Sequence, residues 1–224
     1  MTITKSTLFA VLGLTYIGIS CQRHQIVPAP EPPVDQVEVD CMFQGHVDTT
    51  DYTLQEGTNS FACNLLVTKN IQPSPLISSA IYTDSLGSTS ASIDHGIRLD
   101  LGSFDWVDDG SNNPSMSEFQ TFFSGANLMA QFGDSVNLPF SNGGANGVQI
   151  TWVDENGIAF YSRDTSTYPG TFFVLNNVTY EADNDNEYVK WSALFTAELW
   201  NYNGTDSIVV QNGIFNGAFR RRTQ

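Results

Sequence analysis

The 224-residue chain carries nine lysines and arginines against 24 aspartates and glutamates, a formal net charge of -15, and is 41% hydrophobic and 12% aromatic. That length suits one β-rich domain able to bury a core without metals or many disulfides, and the apolar content argues against global disorder. The acidic balance argues against nucleic acid as a partner, because phosphate affinity needs clustered Lys and Arg; the one such cluster, Arg220, Arg221 and Arg222, reads as a solvated tail, with contact to lipid headgroups as its alternative.

Residues 1–20 have the parts of an export signal. Lys5 supplies the positive start, STLFAVLGLTYIGI an apolar run too short to span a bilayer comfortably, and Gly18 and Ser20 the small residues before a cut. The stretch GISC, ending at Cys21, resembles the lipobox of bacterial lipoproteins, with Gly18 standing where an aliphatic residue is usual. The resemblance implies cleavage before Cys21 and a lipid on its sulfur, diacylglycerol with palmitate-type chains. Gly18 and Ser20 equally satisfy an ordinary secretory signal peptidase, which would leave a secreted soluble protein. Three cysteines in an exported chain leave one over. With Cys21 acylated, Cys41 and Cys63 remain as a pair able to oxidise outside the cytoplasm. Residues 21–39, including QRHQIVPAPEPPVDQVE, form a proline-rich extended spacer of the kind that holds a domain off a surface.

Residues 40–224 read as a single all-β domain. Cys41 and Cys63 bracket a strand, a turn around DTTD, a second strand and a turn around EGTN, and a bridge between them would staple the N-terminal strands. Apolar and polar residues alternate from Ile97 to Leu101 and from Val148 to Val153, and DSIVVQNGIF carries β-branched residues into an Asn-Gly turn. Asp154 to Gly157 and Asn203-Gly204 supply turn chemistry for two hairpins. One helical turn or two fits SMSEFQTFFSGANLMA, capped by Ser115 or Ser117 with Phe119, Phe122 and Phe123 at helical spacing. Short strands and frequent Gly and Asn turns predict two packed sheets, a β-sandwich of immunoglobulin-like or jelly-roll type, with topology open.

The closing succession, GVQITWVDENGIAFYS, TFFVLNNV and WSALFTAELWNYNGTDSIVVQNGIFNGAF, resembles the last strands of small β-rich lipoproteins of Bacteroidota. It covers about a third of the chain and its motifs are turn and core residues. The resemblance implies an envelope protein at the outer membrane or cell surface, with the lipid bilayer as partner through Cys21 and a glycan or envelope protein as ligand.

Signatures of catalysis are missing: no G-x-S-x-G elbow, phosphate-cradling glycine loop, H-E-x-x-H or C-x-x-C. His24 falls in the spacer, and His46 and His95 have no serine and oxyanion hole marked near them. A glycosidase needs only two acids across a cleft, which leaves no spacing to find. The reading is therefore a non-enzymatic binding, adhesion or assembly module, with a carbohydrate-binding module as alternative and a glycoside hydrolase last. No cofactor is required. Calcium is the one candidate ion: Asp183, Asp185 and Glu187 (with Glu181) alternate in TYEADNDNEY, and Asp105, Asp108 and Asp109 lie near Asn112. Tryptophans 106, 152, 191 and 200 and several tyrosines, Tyr161 among them, can build a sugar-stacking platform. Trp152 and Trp191 fit the core better, which leaves Trp106 and Tyr202, beside acidic or turn residues, as the candidates for ligand binding.

Overall fold

In a computed structural model, residues 36–90, 95–124, 138–141, 144 and 147–223 are described; the expected export signal, Cys21 and most of the expected spacer lie outside them. The described chain is nearly all β. Its strands are β1 (Met42–Val47), β2 (Thr50–Gln55), β3 (Phe61–Asn70), β4 (Ile77–Ser88), β5 (Gly96–Val107), β6 (Gly147–Val153), β7 (Ala159–Ser162), β8 (Phe172–Ala182), β9 (Asn186–Asn201) and β10 (Ser207–Arg222), with the helix α1 (Met116–Phe123) between β5 and β6.

All ten strands belong to one antiparallel sheet, nine of them in the order β2-β1-β10-β9-β7-β6-β5-β4-β3, with β8 off this path and paired to β9. The sixteen-residue β9 pairs with β10 along one edge, and its other edge is shared between β8, against Glu187–Thr196, and β7, against Leu199–Asn201. The sheet curls, so that β6-β5-β4-β3 form a second leaf facing β1, β10 and β9 across the core. The layers of a sandwich are present, and the topology that the sequence left open is a continuous curl through β7.

Two aromatic groups fill the space between the leaves. Phe43 packs on Trp152 and Phe195, and Phe195 on Phe173. Toward the other end, Tyr82 meets Phe119, Phe123 and Phe219, while Trp191 packs on Phe215 and Phe219. At eight residues α1 is too short to persist alone. Its start is fixed by a capping box, with the Ser115 hydroxyl accepting from the Glu118 N–H and the Glu118 carboxylate from the Ser115 N–H, and its buried Phe119, Phe122 and Phe123 plug the core.

Two bulges alter the expected pattern. On β5 two residues, Gly102 and Ser103, stand where β4 has one, since Ala80 faces Phe104 and Tyr82 faces Leu101. The inward set therefore switches from Ile97, Leu99 and Leu101 to Phe104 and Trp106. On β10, Asn212-Gly213 lies at such a bulge and not in the turn that its sequence implies: Asn212 adopts φ 51°, and Gln211 and Asn212 stand opposite the single Thr196 of β9. A β-carbon on Gly213 would lie 2.6 Å from the Phe195 ring, so only glycine lets that ring sit there. The arginines read as a tail extend β10: Arg221 pairs with Glu187 at 2.9 Å, and Arg220 donates to the Leu65 carbonyl at 3.0 Å.

The curl brings the far ends of the sheet together. Cys41, just before β1, is bridged to Cys63 on β3, with a Cα separation of 5.6 Å and a sequence separation of 22. Beside the bridge Asp84 on β4, with no exposed surface, accepts the Ala218 N–H of β10 at 2.7 Å. Burial pushes its carboxyl well above the usual carboxylate range and Glu56 adds to the rise, while the Ala218 N–H opposes it. A β-carbon on Gly217 would fall 1.8 Å from Asp84 Oδ2, so the carboxyl occupies the space that this glycine leaves.

Replacing both bridging cysteines with alanine should lower stability by about 3 kcal/mol through the freed loop, read as a reduced urea midpoint. The folded state holds the Asp84 proton more tightly than the unfolded chain does. Stability from this group is thus greatest below the unfolded carboxylate pKa and falls as pH rises toward the folded value. Asp84→Asn keeps an acceptor for Ala218 without that proton, so the Tm of the variant minus that of the wild type should climb from about pH 4 to pH 8.

Candidate functional site

The outward residues of the second leaf build a groove of 680 Å³ over β3 to β7. Antiparallel partners directly opposite one another share a face, so register arranges them in rows. Thr83, Asp100 and Gln149 form one row; Ser85, Arg98, Thr151 and Tyr161 form the next, which continues to Trp200 on β9; Gly87, Gly96, Val153 and Ala159 form the third. The glycines leave part of the floor without side chains, and nothing lies within 4 Å of where a Gly87 β-carbon would stand.

Charge in the groove is internally fixed. Asp100 Oδ1 accepts from Arg98 Nε at 2.9 Å and Nη2 at 2.7 Å, and from the Thr83 hydroxyl. The Asp100 side chain is 5% exposed and that of Arg98 51%. A buried acid therefore holds an accessible guanidinium in one pose, and three of its five N–H donors have no partner among the described residues. Gln149, Thr151 and the Tyr161 hydroxyl add neutral polar groups. At the far end of the row Trp200 is half-buried, with the Arg163 guanidinium 5.6 Å from its ring centroid. Such a surface can hydrogen-bond hydroxyls through its polar rows and stack an apolar ring face on Tyr161, while Trp200 continues the row beyond the groove lining. Asp100 is the one carboxylate among the described lining residues.

The sites expected from sequence lie elsewhere. Trp106 is 4% exposed and stacks on Phe104, so it offers no open ring face; the β5 bulge turns it inward and corrects its assignment to a ligand platform. Tyr202 is 88% exposed, in the turn between β9 and β10 and outside the groove lining. Sequence reasoning named Tyr161 and Trp200 among possible platform aromatics without choosing them. Their signal was alternation, since each follows an inward residue, Phe160 or Leu199.

Asp183, Asp185 and Glu187 do not gather into a metal site among the described residues. Asp183 accepts from the backbone N–H groups of Asp185 and Asn186 and from the Tyr188 hydroxyl, and the Asp185 N–H leads in holding its carboxyl below the usual range. Glu187 is committed to Arg221. Asp183 thus closes the β8–β9 hairpin and Glu187 anchors β10. Of the other acids, Asp108 and Asp109 accept backbone N–H groups of Asn112 and Ser111, which shapes the loop ahead of α1. The one trio of ligand types within 4.8 Å among the described residues is Cys41, Glu56 and Cys63, where the bridge removes the thiolates a metal would need. His46 pairs with Asp51 at 2.8 Å on the β1–β2 hairpin, and His95 bonds the Val153 carbonyl and packs edge-on against Trp152.

No protein-family model matches the chain, and neither a curated protein nor a solved structure is significantly similar to it.

Proposed function

We propose that this protein is an envelope lipoprotein, anchored in the outer membrane through lipid on Cys21, whose β-domain binds a neutral glycan in the groove over β4 to β7. The observation that carries the ligand class is the row Ser85, Arg98, Thr151, Tyr161 and Trp200, which sets a buttressed guanidinium and hydroxyls in line with two aromatic rings. Sugars present that combination, hydroxyls around the rim of a ring and C–H groups on its face. Binding without turnover is favoured because a glycosidase needs two carboxyl groups flanking the bond, and the described lining supplies Asp100 alone, already occupied by Arg98 and Thr83. Anchoring is supported by cysteine count. With Cys41 bridged to Cys63, Cys21 is the cysteine left without an intrachain partner.

Titration with β-glucan, xylan, mannan and chitin oligosaccharides, followed by tryptophan fluorescence and calorimetry, should find one class that binds. Arg98→Ala and Tyr161→Ala should each weaken it by about tenfold or more, and Tyr202→Ala should leave it unchanged. Failure of all four classes to bind, or equal affinity in the groove variants, overturns the glycan reading. For the anchor, the N-terminal peptide from protein made in a diderm bacterium should begin at Cys21 and carry the mass of diacylglycerol and an N-acyl chain. An unmodified Cys21 would make the protein secreted and soluble.

A further inference from the structure

The carboxyl of Asp84 is more than an acceptor for Ala218. Its Oδ2 takes that N–H at 2.7 Å, while Oδ1 points at the bridge, 3.5 Å from Cys41 Sγ and 3.6 Å from Cys63 Sγ. None of the described ion pairs includes it. An amide would satisfy Ala218 without the cost of burying an ionisable group, so the acid is unexplained by the hydrogen bond alone. Disulfide sulfurs carry no proton, and the carboxyl proton is therefore the one available between Asp84 and the bridge. The two sulfurs also differ: Cys41 has no exposed surface, whereas Cys63, on the edge strand β3, is partly open to solvent.

We propose that the Cys41–Cys63 bridge is a thiol–disulfide exchange site for an external dithiol, with Cys63 the sulfur attacked, Cys41 the sulfur displaced and Asp84 the proton donor to Cys41. A thiolate of the dithiol attacks Cys63 Sγ from the solvent side. The S–S bond breaks, its electron pair goes to Cys41 Sγ, and the proton on Asp84 Oδ1 moves to that sulfur. The second thiol of the dithiol then displaces Cys63 from the mixed disulfide. The two protons given up by the dithiol end on Cys63 and on Asp84, the dithiol is oxidised to a disulfide, and the protein holds two thiols. Protonating the buried leaving sulfur spares the seam a thiolate with no counter-ion. Among the described residues, the other titratable group acting on Asp84 is Glu56, whose carboxylate lies 3.5 Å from the Cys63 nitrogen; on β10 the facing residues, Gly217 and Ala218, are uncharged.

The test is the rate at which dithiothreitol reduces the folded full-length protein, followed by alkylation and mass from about pH 5 to pH 10, with each rate divided by the concentration of dithiothreitol thiolate. In the wild type the normalised rate should fall as pH rises and Asp84 loses its proton. Asp84→Asn should be slower by about tenfold or more at neutral pH and independent of pH. Glu56→Gln should keep the wild-type decline. A pH-independent wild-type rate, or an Asp84→Asn rate within about twofold of wild type, would reduce Asp84 to a structural acceptor and overturn the proposal. If Asp84→Asn does not fold, the wild-type and Glu56→Gln profiles decide the matter, because access to the bridge by local opening alone predicts a normalised rate that rises with pH, as loss of the Asp84 proton loosens the fold. Sugar binding in the groove enters none of these measurements.

Discussion

The hydrogen bond from the Ala218 N–H to Asp84 marks the place where a ten-stranded sheet meets itself. A sheet with one apolar face must cover that face, and here the cover is the sheet's own other half. Closing it brings β4 against β10, strands far apart in the pairing order, so the closing contacts cannot come from the backbone ladder. Side chains supply them: Asp84 on Ala218, the Cys41–Cys63 bridge, and Arg220 on the Leu65 carbonyl. Gly217 is the condition for the first of these, because any larger residue would stand where the carboxyl sits.

Curling also separates the work of the two faces. Along β5 the inward residues Ile97, Leu99 and Leu101 join the core, while the outward Arg98 and Asp100 line the groove. Core and candidate site are thus alternate positions of the same strands. A rigid core fixes Cα positions on the outer face, and the Asp100 carboxylate then fixes the Arg98 guanidinium, so the groove is organised before any ligand arrives.

Much of the fold was legible in the sequence because strand alternation and turn chemistry are local. Ile97 to Leu101, Val148 to Val153, the Asp154–Gly157 turn and the Ser115 cap all appear where their residues place them. The bridge followed from the cysteine count and the expectation of export. What escaped depended on partners distant in sequence. Alternation continued from Leu101 puts Trp106 outside, and only the extra residue at Gly102-Ser103 turns it in. Tyr161 gains Trp200 as its neighbour through the pairing of β7 with β9, which no local signal announces. The arginines at the end of the chain looked solvated because Glu187 and the Leu65 carbonyl, their partners, lie on other strands. Between Asp183 and Glu187 sequence shows the charges but not that Asp183 accepts backbone N–H groups within its own turn and that Glu187 pairs with Arg221.

The position of Cys41 has a mechanical consequence. The chain enters the domain at this residue, immediately ahead of β1, which is hydrogen-bonded on both sides, to β2 and to β10. Tension applied through the segment before Cys41 would have to shear β1 lengthwise against two neighbours, loading many hydrogen bonds at once, and not unzip them singly. The bridge divides that load, because part of any pull on Cys41 passes through covalent bonds to β3 at the opposite edge of the sheet. With the bridge intact, force enters the fold at two strands; once reduced, it falls on β1 alone, and the thiol state of two residues would set how hard the domain can be pulled before its first strand slips.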